Sequence, residues 1–167
     1  METFDIYTAD GMRTGRTAPK GTLCGEGEYY LGAHMYLYNS QGRFLLQKRA
    51  ETKAIMPGEW EIHMGHAAAG ENGLDTARRE LAEEIGVVVP AEDFVHVARF
   101  VWRRYHHLID VFFCRADPEL SELTLQEEEV SAVKWISREE MIAFVEALED
   151  KPVGYREAVL EYLRNAF

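Results

Sequence analysis

The sequence is poor in several features that mark specialised classes of protein. It contains only two cysteines, Cys24 and Cys114, which lie far apart and form no metal-binding or redox motif. We interpret them as reduced thiols of an intracellular protein. No apolar run approaches the roughly 18 residues of a membrane-spanning helix, and the N-terminal segment lacks the basic and apolar regions of a secretory signal. These absences favour a cytoplasmic location.

Positive charge is scarce as well. Lysine and arginine number 18 against 29 aspartate and glutamate residues, which gives a net charge of −11. Such an excess of negative charge opposes binding to a nucleic-acid backbone or to an anionic membrane, so we expect neither as a partner. A phosphorylated small molecule stays open as a partner, because a bound cation reverses the sign of the charge locally.

No repeat or low-complexity linker divides the chain, whose length suits one domain with a hydrophobic core. We expect a small N-terminal hairpin that turns at Asp10-Gly11. Strands are predicted at 29–38, 43–48, 60–64, 94–102, 107–115 and 130–136, and helices at 73–85, 138–148 and 154–165. The strands 29–38 and 43–48 are predicted to form a meander. Strands flanking a central helix, with helices again at the end, predict a mixed α/β sandwich.

The predicted helix 73–85 places three carboxylates, those of Glu80, Glu83 and Glu84, within about one turn. Like charges at these spacings repel by about 0.2–0.5 kcal/mol per pair. A solvated helix face normally relieves this repulsion with lysine or arginine four residues further on, but those positions hold no basic residue. One interpretation is nevertheless a solvated acidic face. The other is a site for a hard divalent cation, Mg²⁺ or Mn²⁺, which prefers oxygen ligands.

The same helix has an apolar stripe and recognisable ends. Its apolar residues cluster beside the carboxylates on a helical wheel, and they are Leu74, Ala77, Leu81 and Ile85. Asn72 is the predicted N-cap, with Asp75 three residues later, and Gly86 is the predicted stop. Ser137 and Glu140 form a capping box for the following helix. We therefore expect the apolar stripe to face the core and the acidic stripe to lie beside it.

The segment 65–87, GHAAAGENGLDTARRELAEEIGV, resembles the Nudix box of the Nudix hydrolases, G-x5-E-x7-R-E-U-x-E-E-x-G-U with U aliphatic. Every fixed position of that box is met. The resemblance implies a Nudix-type α/β/α sandwich, with a mixed sheet and a central catalytic loop-helix. It also implies a single Nudix domain over 1–167, with a hairpin extension at 1–25 and C-terminal helices at 138–167. The implied activity is Mg²⁺- or Mn²⁺-dependent cleavage of a diphosphate that is linked to another moiety.

The resemblance further implies roles for the residues of the box. The expected metal ligands are the carbonyl of Gly65 and the carboxylates of Glu80, Glu83 and Glu84. Arg79 would orient Glu80 through a charge-assisted hydrogen bond, and Glu71 would support the geometry of the loop and helix. Glu80 or a nearby acid would help to activate the attacking water, which the metal would acidify and align.

Many relatives of this family use one more acid from a later loop. Glu127, Glu128 and Glu129 lie in such a loop, just before the strand predicted at 130–136. Any one of them is a candidate ligand or base, and we rank Glu127 and Glu128 ahead of Glu129. The alternative is that each is a solvated loop carboxylate.

Beyond the box, the segments GEYYLGAHMYLYNSQGRFLLQKRAETK, MPGEWEI and LQEEEVSAVKWIS resemble the isopentenyl-diphosphate-isomerase-like branch of the superfamily. In that branch, basic residues after the second strand hold the diphosphate, and the candidates here are Arg49 and Lys53, ranked ahead of Lys48. The alternative is that they are ordinary surface charges. True isomerases carry a catalytic cysteine just before the Gly-His pair, where this chain has Met64. This difference favours a hydrolase of the same branch over an isomerase. A non-catalytic Nudix domain that senses a ligand is a third possibility.

The substrate beyond the diphosphate is not determined by the sequence. Trp60 and Trp102 are candidates to stack on a nucleobase or to hold a prenyl chain, with Tyr105, His106 and His107 nearby. The segment 103–107 is alternatively a polar hairpin tip, and Trp135 is interpreted as a core residue. His66 either contacts metal or phosphate or is a structural turn histidine. A homodimer is an expectation from the family alone.

Overall fold

The computed structural model describes residues 1–167. The chain forms nine strands and three α-helices. The strands are β1 (Thr3–Tyr7), β2 (Arg13–Pro19), β3 (Tyr30–Tyr38), β4 (Phe44–Arg49), β5 (Trp60–Glu61), β6 (His63–His66), β7 (Phe94–Trp102), β8 (His107–Arg115) and β9 (Val130–Ile136). The helices are α1 (Gly73–Ile85), α2 (Arg138–Glu146) and α3 (Tyr155–Asn165). No helix is long and apolar enough to cross a membrane.

The N-terminal hairpin is confirmed. Strands β1 and β2 pair antiparallel in a two-stranded sheet of their own, and the turn between them contains Asp10 and Gly11. The hairpin joins the rest of the fold through a bridge between Tyr7 and Tyr29. It is therefore packed on the domain rather than free of it.

The main sheet has seven strands in the order β5-β4-β3-β8-β7, with β6 beside β3 and β9 beside β4. Strands β3 and β8 run parallel, and every other strand pair is antiparallel. The predicted meander is wrong beyond its turn, because β3 and β4 pair only at Tyr38 and Phe44. Further along, β3 pairs with β6 and β4 pairs with β9. The two strands diverge, and the sheet opens between them.

The segment predicted as one strand at 60–64 is two strands that bridge this opening. Strand β5 pairs with β4, so that Glu61 lies opposite Gln47. After Ile62 the chain crosses to β3, where Gly65 of β6 lies opposite Ala33. The crossing brings residues from both halves of the sheet to the start of the loop that precedes α1.

The core lies on both faces of the sheet, which makes the fold an α/β/α sandwich as expected. Successive side chains of β3 point to opposite faces. Tyr36 packs on the face covered by α2 and α3, whereas Met35 packs on the face covered by α1. The apolar stripe of α1 is confirmed, since Ala77, Leu81 and Ile85 are buried there. Trp135 packs, partly buried, against the same cluster.

The ends of α1 follow the local signals of the sequence. The side-chain oxygen of Asn72 accepts a hydrogen bond from the main-chain N–H of Asp75. The Asp75 carboxylate accepts one from the main-chain N–H of Asn72, which completes a capping box. Gly86 ends the helix in the left-handed conformation with φ 74°. These caps fix where α1 begins and ends, and its buried apolar residues face the sheet.

Candidate active site

Arg79 on α1 donates hydrogen bonds to five acceptor atoms around this helix. Its guanidinium donates to both oxygens of Glu71, at 2.7 and 3.0 Å. It also donates to Glu80 at 2.9 Å and to Glu83 at 3.0 Å. The expected contact between Arg79 and Glu80 is therefore present. A fifth hydrogen bond, of 3.0 Å, reaches the carbonyl of His66 and ties the helix to β6.

Glu71 joins the loop before α1 to the helix itself. Besides Arg79, its carboxylate accepts from the amide of Ala68 and the hydroxyl of Thr76. Partial burial alone would raise the pKa of Glu71, but these hydrogen bonds and the charge of Arg79 hold that pKa below its ordinary value. These contacts link Glu71 to the loop at Ala68 and to the helix at Thr76 and Arg79.

Gly65 leaves room for the carboxylate of Glu80. A methyl group built on its α-carbon would overlap the Glu80 side chain, so any larger residue would displace that carboxylate. Burial raises the pKa of Glu80, against the attraction of Arg79. The glycine and the acid predicted as ligands are thus adjacent, and only glycine fits at this position.

Glu84 is buried on the side of α1 that faces the sheet. The amide nitrogen of Gln47 donates to it at 3.1 Å, and Gln47 is itself only 2% exposed. Burial raises the pKa of Glu84 to about 8, and the negative charges of Glu80, Glu129 and Glu61 act in the same direction. A buried carboxylate that is disfavoured as an anion gains from a nearby cation.

The arrangement suits a hard divalent cation in its chemistry. The candidate donors are all oxygens, and one oxygen of Glu80 and one of Glu84 form no hydrogen bond with the protein. As the side chains stand, no three of the protein's histidine, cysteine, aspartate or glutamate residues converge closely enough to hold an ion. Glu83 and Glu80 are turned towards Arg79 instead, so holding an ion requires these side chains to rotate.

Among the three acids of the later loop, the structure places Glu129 nearest to the site. It forms an ion pair with Lys53 and is one of the charges that raise the pKa of Glu84. Glu127 and Glu128 are exposed and form no hydrogen bond through their side chains. Their rank ahead of Glu129 has no support in this geometry, because their carboxylates face solvent.

The predicted anion-binding residues lie at the edge of the same site. Arg49 donates to Glu61 at 3.0 Å and to the carbonyl of Ile55 at 2.9 Å, while Lys53 is paired with Glu129. Both cations are therefore held by carboxylates, Glu61 and Glu129, whose charges raise the pKa of Glu84. They are close to the site, but each is paired in this structure.

Sequence reasoning missed three buried polar residues behind Glu84. Gln47 donates to Glu61 at 3.4 Å as well as to Glu84, and its oxygen lies 2.6 Å from Nδ1 of the fully buried His63. Because the amide nitrogen faces the carboxylates, Nδ1 of His63 carries the proton. The available signal was the placing of Gln47 and Glu61 in strands, where polar residues opposite each other share a face.

The other predicted residues make contacts outside the group of carboxylates on α1. Nε2 of His66 lies 2.7 Å from Nε2 of His107, and the His66 ring stacks on Phe4. Only the main-chain carbonyl of His66 contacts Arg79. Trp60 packs against the core, and Nζ of Lys134 lies 4.2 Å from the centroid of its ring. Residues 103–106 form the turn between β7 and β8, as expected for a hairpin tip, and His107 is the first residue of β8. Trp102 lies beside Tyr105 there, at 4.7 Å between ring centroids.

The comparison with protein families and curated proteins agrees with this geometry. The model of the NUDIX domain matches residues 28–159. A Listeria monocytogenes protein named as an uncharacterized Nudix hydrolase is 31% identical, and the match covers 99% of this chain and 97% of that protein. Nudix hydrolase 3 of Arabidopsis thaliana is 33% identical over 92% of this chain, but the match spans only 22% of that longer protein.

Solved structures share the fold. A crystal structure of DR0079 from Deinococcus radiodurans superposes with a TM-score of 0.71 over 99% of both chains, at 19% identity. The NUDIX domain of NrtR from Shewanella oneidensis, complexed with ADP ribose, gives a TM-score of 0.60 over 87% of this chain and 93% of that one, at 20% identity. These likenesses concern the arrangement of strands and helices.

Proposed function

Because this chain belongs to the Nudix family of hydrolases, we propose that it hydrolyses the diphosphate bond of a small organic diphosphate with a divalent metal ion, Mg²⁺ or Mn²⁺. The substrate class that we favour is of the nucleoside-diphosphate type. The observation that carries the proposal is the joining of Glu71, Glu80 and Glu83 by one guanidinium, with the buried Glu84 one helical turn from Glu80.

The residues that would hold the metal are the carbonyl of Gly65 and the carboxylates of Glu80, Glu83 and Glu84. The bound ion would neutralise charge on the phosphate oxygens and lower the pKa of a water molecule. Arg79 keeps Glu80 in place, and Glu71 keeps Arg79 in place. Arg49 and Lys53 would contact the substrate's phosphates, which requires that they exchange Glu61 and Glu129 for phosphate oxygens. Glu80 or a nearby acid would take the proton from the attacking water, and the loop acids Glu129, Glu127 and Glu128 are the further candidates.

The metal-site assignment is tested with Glu83→Gln, which keeps the size of the side chain and removes its charge. The matched control is Glu161→Gln, an exposed glutamate on α3. We expect the first variant to lose Mg²⁺-dependent phosphate release and to keep its circular dichroism spectrum, while the control matches the wild type. Unchanged turnover in Glu83→Gln would contradict the assignment.

The substrate is sought in a panel of nucleoside diphosphates, nucleotide sugars, dinucleotides and prenyl diphosphates with Mg²⁺. ADP ribose belongs in the panel because a structural neighbour binds it, and a dinucleotide tetraphosphate belongs there because another neighbour is an Ap4A hydrolase of C. elegans. We expect turnover of at least one nucleotide substrate. Loss of turnover when Arg49 or Lys53 is replaced by methionine would support their contact with phosphate.

Membership of the isopentenyl-diphosphate-isomerase-like branch is part of the proposal, with hydrolysis rather than isomerisation as the reaction. The position of the isomerase cysteine holds Met64, and both cysteines of the chain lie elsewhere: Cys24 packs beside the N-terminal hairpin and Cys114 lies in the core on the α1 face. Incubation with isopentenyl diphosphate separates the two reactions. Formation of the dimethylallyl isomer would overturn the hydrolase proposal, and no isomer is expected.

A further inference from the structure

The N-terminal hairpin lies outside the residues that match the family model, which begin at residue 28. It nevertheless touches the loop between β6 and α1. The main-chain carbonyl of Thr3 accepts from the amide of Ala69 at 2.8 Å. One carboxylate oxygen of Asp5 accepts from the amide of Gly70, also at 2.8 Å. The hairpin thus satisfies two successive amides of that loop.

Arg13 of β2 completes the contact from the other strand of the hairpin. Its guanidinium donates to the main-chain carbonyl of Glu71 at 2.5 Å. The same guanidinium lies 3.2 Å from the Asp5 carboxylate and donates to the hydroxyl of Tyr7 at 3.0 Å. Asp5 and Arg13 therefore form a pair that holds loop residues 70 and 71, while the main chain of Thr3 holds residue 69.

Hydrogen bonds link this loop, through Arg79, to the carboxylates of the candidate metal site. Glu71 receives two hydrogen bonds from Arg79, and Arg79 holds Glu80 and Glu83. A shift of the Glu71 main chain would move its carboxylate and with it the guanidinium that orients both acids. Groups that orient the ligands of a metal site typically change metal affinity or activity by about 10–100-fold when removed.

We infer that the N-terminal hairpin is part of the diphosphate site, in which Asp5 and Arg13 are positioning residues for residues 70 and 71 of the loop before α1. The inference rests on the proposed function, because it assigns the hairpin to that site. It makes the hairpin more than an extension that adds stability: the pair Asp5 and Arg13 sets the position of Glu71, and through Arg79 the positions of Glu80 and Glu83.

The test compares Arg13→Met with Arg16→Met. Arg16 is a matched control because it lies on the same strand and pairs with Glu28, away from the loop. We expect Arg13→Met to lower kcat about tenfold and to raise the Mg²⁺ concentration for half-maximal activity, with a smaller effect on the substrate KM. Arg16→Met is expected to match the wild type. A third variant, Asp5→Asn, keeps an acceptor for the Gly70 amide and is expected to retain more activity than Asp5→Ala.

Hydrogen exchange and Mn²⁺ affinity are measured on the same variants, because neither needs turnover. We expect faster exchange in the segment 69–71 and weaker Mn²⁺ binding in Arg13→Met, at a melting temperature close to that of Arg16→Met. Equal exchange in the two variants would overturn the inference, and so would faster exchange with unchanged kcat and metal affinity. If the wild type hydrolyses no diphosphate, the proposed function fails, while exchange and Mn²⁺ affinity still decide whether the hairpin positions the site.

Discussion

Gly65 matters to the site because it has no side chain. Its position in the sequence motif predicts a metal ligand, but the structure adds a steric reason for glycine that the motif does not give. The α-carbon lies against the side chain of Glu80, where a methyl group does not fit. The residue proposed to offer its carbonyl to the metal is thus also the one that leaves space for the Glu80 carboxylate.

Replacing Gly65 by alanine should displace Glu80 and lower activity about 100-fold, since misplacements near 1 Å have effects of that size. Gly25→Ala is the control, because Gly25 lies in an exposed turn where the nearest atoms belong to the flexible side chain of Glu28. Steady-state kinetics at saturating Mg²⁺ measure the effect. Equal activity of the two variants would show that Glu80 needs no such space.

At the residue scale, the motif identified the acids of α1, Arg79 and Glu71, because their spacing is recorded in a contiguous stretch of the sequence. It did not identify Gln47, Glu61 or His63. Each of these looks like an ordinary polar residue of a short strand, and burial arises only when β4, β5 and β6 pair. That pairing joins segments far apart along the chain, which local patterns do not encode.

At the scale of secondary structure, local signals predicted the helices closely. The capping boxes at Asn72 and Ser137 and the apolar stripe of α1 involve residues within one or two turns, and the structure contains each of them. The sheet was predicted less well. Strands β3 and β4 diverge, and the chain between β5 and β6 crosses from one to the other, because long-range pairing overrides the simpler meander.

Strand β3 is tied to helix α3 by a buried histidine. Nδ1 of His34 lies 2.8 Å from the hydroxyl of Tyr155, which in turn lies 3.0 Å from the hydroxyl of Tyr36. Burial lowers the pKa of His34 well below 6.5, and the charge of Lys151 acts in the same direction. The folded protein therefore keeps this imidazole neutral at pH values where the unfolded chain protonates it.

This difference predicts a loss of stability in acid. Above pH 6.5 His34 is neutral in both the folded and the unfolded state, so it does not make the free energy of unfolding depend on pH. Below that value the unfolded state binds a proton that the folded state does not, so the free energy of unfolding falls as the pH falls. We expect His34→Phe to have a shallower slope between pH 6.5 and 5, by up to about 1.4 kcal/mol per pH unit. Urea unfolding at several pH values measures this, and equal slopes would show that folding does not lower the pKa of His34.

At the scale of the whole molecule, a net charge of −11 has to be reconciled with an anionic substrate. A second problem is that burial disfavours the charged forms of Glu80 and Glu84 on α1, whose pKa values it raises. A divalent cation resolves both problems, because it compensates the buried charge and presents a positive centre to phosphate oxygens. The central claim is thus that the chain becomes a diphosphate hydrolase only when it binds such an ion.

The most direct test follows the phosphorus NMR spectrum of the substrate panel with the wild-type protein, first in Mg²⁺ and then in excess EDTA. We predict that the diphosphate signals of at least one substrate give way to monophosphate signals in Mg²⁺, and that the conversion stops in EDTA and resumes when Mg²⁺ is restored. Conversion at the same rate in EDTA, or no conversion of any substrate in Mg²⁺ or Mn²⁺, would contradict the account.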